Sequence, residues 1–419
     1  MTVETVTSAI LRKMTGIGKC QRRFVLHIVR LLLQVRGRAN FTNMARYGAH
    51  VEQYYRKWFS RPFDFGQFNS QLVFLFAGAE RILGFDPSFV PKSGSCTPGT
   101  GYFWSGCANA VKWGIEICGI AVIDLSNHTS FHYEAVQTKY DKTKQTLREY
   151  YAELIVQRAG ALQKISKVIV FDAFFSKKDF VDSMCAAGFT MISRLQHNSY
   201  LRYRYNGPQK SGKGRPKAYD GRIDPKNVST AHFKEISRTE EQAIYEGLAH
   251  VRSLKRWVKL VIVQCIKDGK ATKALLYFST CADSLKDGCG LPADGGRAHE
   301  APEVSGAQVA RYYPARFLME FGFRDGKQHL GLAHCQSRQP QAISFHFNIV
   351  LTILNIIKAV HWLPMQQYAR TPFSVSDIKT QYSNEILLDK LISIYGKDPY
   401  IEKNNPQIKR LYDLGRIAA

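Results

Sequence analysis

The sequence predicts an α/β fold with a mixed sheet, a β-rich insertion and helical ends. Three observations predict it. Between about 72 and 172, apolar runs of strand length end in aspartates and alternate with helical segments. Between 190 and 285, short β candidates follow one another closely. Before 75 and after about 305, apolar residues return at helical spacing.

The elements follow in order. "QRRFVLHIVRLLLQVRG" carries Phe24, Val25, Ile28, Leu31 and Leu32 on one helical face and stops at Gly37. "NFTNMARYG" is a short helix, with Asn40 or Thr42 as its cap and Gly48 at its end. "AHVEQYYRKWF" starts the next one, so the pair reads as helix-turn-helix or as an ordinary helical hairpin. "RILGF" is an apolar strand ending at Asp86, and "WGIEICGIAVIDLS" is a longer one ending at Asp124. "FHYEAVQT" alternates as a third strand. A basic helical segment, 141–164, precedes "SKVIVFDAFF", a strand ending at Asp172, and then a helix, "KKDFVDSMCAAGF".

Further on, "MISRL", "YLRYRYNG", "VKLVIVQCI" and "KALLYFST" are β candidates. Between them, "GPQKSGKGRPKAYDGRIDPK" is a basic loop bearing Lys210, Lys213, Arg215 and Lys217, suited to phosphate contact. A Gly-rich stretch, 281–303, leads to helix from about 305. "FHFNIVLTILNIIKAVHWL" is interrupted by Asn348, Asn355 and Lys358, so it reads as a buried helix, not a membrane span.

Composition narrows the function. Lys and Arg number 58 against 34 Asp and Glu, a net charge of +24. That balance points to a polyanion partner, nucleic acid before membrane. The nine cysteines are scattered without a CxxC pair, and Cys281 and Cys289 lack the partners of a zinc site. This fits a reducing cytoplasm, and no secretory leader pattern opens the chain.

Three acids stand where chemistry can use them. Asp86 and Asp172 end apolar strands, and Glu320 lies on a later helix. Carboxylates gathered at one sheet edge supply the hard oxygen ligands of two-metal phosphoryl transfer. Glu320 sits in "YYPARFLMEFGFRDGK" with Tyr313, Arg316 and Lys327. At about 100° per residue, one helix would place all four within an arc of roughly 60°.

These residues carry a resemblance. The chain is similar to the DDE (Asp-Asp-Glu) cut-and-paste transposases of bacterial insertion sequences, in the subgroup with a Tyr-x2-Arg-x3-Glu-x6-Lys signature. Tyr313, Arg316, Glu320 and Lys327 fill its four positions. "FDPSFVPKSG" around Asp86 and "VIVFDAFFSKKDFVD" around Asp172 resemble the family's first two catalytic segments. The resemblance implies a ribonuclease H-like core in which Asp86, Asp172 and Glu320 are catalytic and hold Mg2+, with Mn2+ able to substitute. It implies that Tyr313, Arg316 and Lys327 grip DNA, that the substrates are terminal inverted repeats and target double-stranded DNA, and that a homodimer forms in the DNA complex. The alternative is a catalytically inactive or decayed transposase-derived DNA-binding protein.

The expected organisation is a helical, helix-turn-helix-like DNA-binding domain at 1–70 and the first part of the core at 71–190. The β-rich insertion follows at 191–304, the second part of the core at 305–375 and a helical tail at 376–419.

Overall fold

Side-chain caps set the first helices. In the computed structural model, which describes residues 1–94, 96–209, 215–281 and 302–417, Thr2 and Thr5 form a reciprocal cap on α1 (Val3–Lys13). α2 (Lys19–Gln34) follows. Asn40 accepts from the Asn43 backbone N–H to start α3 (Phe41–Tyr47), which Gly48 ends. α4 (Glu52–Phe59) and α5 (Phe65–Phe76) complete the N-terminal helices. Then come β1 (Arg81–Pro91), β2 (Gly101–Ser105), β3 (Ala110–Asp124), β4 (Thr129–Gln137), α6 (Leu147–Val156), α7 (Ala159–Leu162), β5 (Val168–Val170) and α8 (Lys178–Ala186). Next are β6 (Thr190–Leu195), β7 (Leu201–Arg204), β8 (Tyr219–Arg222), β9 (Phe233–Arg238), β10 (Gln242–Val251), β11 (Arg256–Lys267) and β12 (Lys270–Ser279). The chain closes with α9 (Gly306–Ala315), α10 (Phe317–His329), α11 (Pro340–His361), α12 (Val375–Ile394), α13 (Pro399–Glu402) and α14 (Pro406–Tyr412). Lys210, Lys213 and Cys289 lie outside the described residues.

The chain divides into two compact units. One comprises Met1–Ala79, Pro87–Lys139 and Leu318–Ala419, the other Glu80–Asp86 and Tyr140–Phe317. In the first, β3 pairs antiparallel with β2 and β4. The outer edge of β4 is covered by α11, whose polar residues explain the interruptions in an otherwise apolar helix. Asn348 accepts from the Ala135 N–H and donates to the Ala135 carbonyl (2.7 and 2.8 Å). Asn355 does the same with His132 (2.8 and 2.7 Å). Lys358 Nζ donates to the Ser130 carbonyl at 2.7 Å. Three helix side chains thus satisfy backbone groups that a strand edge would leave without partners. α11 is long and apolar enough to cross a membrane, yet 94% of its most apolar window is buried inside the protein. Phe24, Phe59 and Phe345 pack together, so the N-terminal helices and α11 share a core.

The second unit is a large mixed sheet. Its strand order is β1-β5-β6-β12-β11-β10-β7-β8, with β9 also on β10. β1, β5 and β6 run parallel. The pairs from β6 through β12, β11 and β10 to β7 and β8, and from β10 to β9, are antiparallel. This is the predicted mixed α/β architecture, consistent with a ribonuclease H-like domain. β8, β9 and β10 are strands that the sequence reading does not single out, as is β2 in the other unit.

Candidate active site

Asp86 and Asp172 each follow the paired stretch of two adjacent parallel strands. β1 and β5 pair with Leu83 opposite Ile169 and Gly84 opposite Val170. Asp86 and Asp172 each lie two residues beyond the last of these pairs. Alternation turns the preceding Phe85 and Phe171 to the other face, where both are fully buried with ring centroids 5.8 Å apart. Asp86 lies inside β1, which continues to Pro91, and not at a strand end as the apolar run suggested. β5 does end near Asp172, whose Oδ1 accepts from the Ala173 N–H at 2.7 Å and starts the 3-10 turn Ala173–Phe175.

Each aspartate faces one residue of the signature. Arg316 Nη1 donates to Asp86 Oδ1 at 3.0 Å, and the arginine side chain is only 8% exposed. The Tyr313 hydroxyl stands 3.5 Å from Asp172 Oδ1, at the outer limit of a hydrogen bond. Burial, then the Asp172 charge, push the Tyr313 hydroxyl up to about 12 against the opposing pull of Arg316 and Arg194. The Tyr313 ring stacks on Tyr277 of β12, centroids 4.6 Å apart. The sequence reading missed Tyr277 and Arg194, although an arginine within the apolar "MISRL" strand was a usable signal.

The signature does not lie on one helix. Ser305 and Gln308 cap α9, which takes in Tyr313 and Pro314 and stops at Ala315. The Arg316 N–H bonds to the Tyr313 carbonyl at 3.2 Å, a tighter three-residue closure, and α10 begins at Phe317. Pro314, inside the last turn of α9 and two residues before the break, has no N–H and its ring crowds the carbonyl one turn back, which weakens that helix end. Tyr313 and Arg316 therefore belong to the unit that holds both aspartates, and Glu320 and Lys327 to the other.

Within that other unit, α10 is seated closely. Phe323 lies against Gly119 of β3, where an added Cβ would sit 2.4 Å from the ring. Ser130 Oγ donates to the Leu318 carbonyl at 2.8 Å, fixing the turn that carries the half-buried Glu320. Lys327, two turns on and on the same face as Glu320, donates to Ser88 Oγ (2.9 Å) and the Phe89 carbonyl (2.8 Å) of β1.

Asp124, the other strand-end acid, is fully buried and committed to a turn. It accepts from the Gly78 N–H (2.9 Å), the Asn127 N–H (3.1 Å) and Asn127 Nδ2 (2.8 Å). Among the described residues, no three His, Cys, Asp or Glu side chains gather closely enough to form a metal cage by themselves. The Asp86 and Asp172 carboxylates nevertheless offer the hard oxygen donors that a divalent cation takes.

A large mixed sheet with parallel β1, β5 and β6 and acids following β5 and within β1 is consistent with a ribonuclease H-like domain. The sequence model of the Transposase DDE domain matches residues 96–356, a span that includes Asp172, the whole signature and Glu320, and begins after Asp86. The chain belongs to the DDE transposase family, whose members cleave and transfer DNA strands with divalent metal ions. No curated protein matches it.

Proposed function

We propose that this transposase cuts the ends of its own insertion sequence and joins them to target DNA, with Asp86, Asp172 and Glu320 as the catalytic, metal-holding acids. The observation that carries the reading is that Asp86 and Asp172 follow the paired stretch of parallel strands and each meets a signature residue, Arg316 and Tyr313. Mg2+ suits the all-carboxylate donor set, with Mn2+ a substitute. When bound, the metal supplies Lewis acidity that favours the attacking hydroxyl and the leaving oxygen.

The side chains have separate tasks. Asp86, Asp172 and Glu320 hold negative charge where the cation is needed. Tyr313, a neutral hydroxyl, donates a hydrogen bond toward a phosphate oxygen. Arg316 and Lys327 each bind DNA phosphate as cations. The helix pair α3 and α4 reads the terminal inverted repeats, and a homodimer brings two ends together in the DNA complex. The reaction takes place in the bacterial cytoplasm, on nucleoid DNA.

The test is Glu320→Gln, which removes a carboxylate with little change of shape. It abolishes Mg2+-dependent nicking of a duplex from the element's end, while the gel shift of that duplex persists. Nicking at the wild-type rate overturns the assignment.

A further inference from the structure

A row of side chains crosses four strands of the second unit. Arg222 of β8 is paired with Arg202 of β7, Arg202 with His250 of β10, and His250 with Trp257 of β11. The flanking Leu201, Tyr203, Ala249, Val251 and Val258 are buried, so alternation sets the row on the opposite face.

Cations converge on this face. The guanidinium groups of Arg202, Arg222 and Arg252 lie 5.1, 5.2 and 5.6 Å from the centre of the Tyr200 ring, which is 37% exposed. Arg202 also stands 4.5 Å from the ring of Tyr219, and Tyr219 stacks on Trp257. None of the three arginines has an ion-pair partner among the described residues. The nearby Asp220 is engaged by Lys217 (3.2 Å) and His232 (3.0 Å). Burial and then the Arg202 charge depress the pKa of His250, so the imidazole is neutral at pH 7 and adds no charge of its own.

Like charges directly opposed across strands destabilise a sheet. Stacking on tyrosine orients the guanidinium planes but leaves their charge uncompensated. A polyanion removes the penalty. The arginines come from two strands and a turn and flank one aromatic ring, an arrangement suited to a chain of phosphates. Guanidinium forks fit phosphate oxygens, and interleaved aromatic rings are common in nucleic-acid grooves.

We infer that this face of the insertion sheet is a DNA-backbone site in which Arg202, Arg222 and Arg252 bind consecutive phosphates beside Tyr200. The inference rests on the chain being a DNA-acting transposase, and not on which acids hold metal.

The experiment measures anisotropy of two labelled duplexes across a salt series in EDTA. One duplex is the DNA flanking the coding sequence, the other a random sequence standing for target. The double variant Arg222→Ala/Arg252→Ala removes the two exposed arginines, and Arg222→Lys/Arg252→Lys keeps their charge. The alanine variant lowers the slope of log K against log salt by about 0.9 for each phosphate no longer neutralised, up to about two in all. The lysine variant keeps most of the slope, and thermal unfolding of both stays near wild type. A lower slope on the flanking duplex alone assigns the site to element ends, on the random duplex alone to target, and on both to a shared backbone site. An unchanged slope on both duplexes overturns the inference, as does an equal decrease from Lys390→Ala on α12 of the other unit. EDTA keeps this readout separate from nicking, so it and the metal-site reading fail independently.

Discussion

Arg316 donates to Asp86 at 3.0 Å across 230 residues of sequence. The bond places a guanidinium on the carboxylate that the metal needs. Loss of one partner of a buried ion pair costs about 3–5 kcal/mol, and the partial exposure of Asp86 (20%) puts this pair toward the lower figure. Arg316→Ala is therefore expected to melt well below wild type in EDTA. It also frees Asp86 for the cation, so Mg2+ raises its melting temperature more than that of wild type. Equal Mg2+ shifts in the two proteins would separate Asp86 from the metal.

Lys327 is tied to Ser88 and Phe89 of β1 in this structure. Its proposed role at the DNA backbone predicts that Lys327→Ala lowers the salt slope of end binding by about 0.9, one phosphate's worth. Lys327→Arg should retain it. A salt series by gel shift decides, and an unchanged slope in the alanine variant assigns Lys327 to packing alone.

Two histidines buried in the first unit set an acid limit on stability. Asn348 Nδ2 donates to two carbonyls, so its oxygen faces His132, whose Nε2–H donates to it at 3.0 Å. His346 Nε2 donates to the Gly331 carbonyl at 2.9 Å. Burial, the largest cause in each, lowers both to about 4. The folded pKa lies below the unfolded value, so the unfolded chain binds more protons. Stability is full above about pH 6.5 and falls as pH drops toward 4, by about 1.4 kcal/mol per unit for each histidine. Urea midpoints at pH 7, 6 and 5 test this. A flat wild-type profile, or a slope that His346→Gln leaves unchanged, contradicts it.

The sequence showed Asp86 and Asp172 because their strands are short apolar runs, and apolar runs survive without knowledge of pairing. It did not show that β1 continues past Asp86, because Pro87 and Pro91 read as loop residues until the strand is seen. Pro314 was visible, but whether a proline starts a helix or breaks one depends on the caps around it. β10 stayed hidden because Glu246 and Gly247 blur the alternation of "QAIYEGLAHV". The polar residues of α11 were legible as interruptions, while their purpose required the edge of β4. The arginine row could not be read at all: Arg222, Arg202, His250 and Trp257 become neighbours only through three strand registers.

The choice between Asp86 and Asp124 as the first metal-holding acid follows from what each carboxylate already does. Asp124 accepts three hydrogen bonds from Gly78 and Asn127 and is fully buried, so its oxygens are committed to the β3–β4 turn. Asp86 is partly exposed and partnered by the Arg316 cation, an arrangement that a divalent ion can take over. Cysteine binds Mg2+ poorly and Mn2+ better. Asp86→Cys should therefore lose Mg2+-dependent nicking, recover part of it in Mn2+, and fold as wild type. Asp124→Asn keeps the shape but replaces an acceptor oxygen with a donor facing N–H groups. It should lose about 1–3 kcal/mol of stability and still nick with either metal at temperatures where it stays folded. Nicking assays in both metals, beside thermal melts, separate the two residues. A folded Asp124→Asn that is dead in both metals, with Asp86→Cys active in Mg2+, would move the first catalytic acid to Asp124.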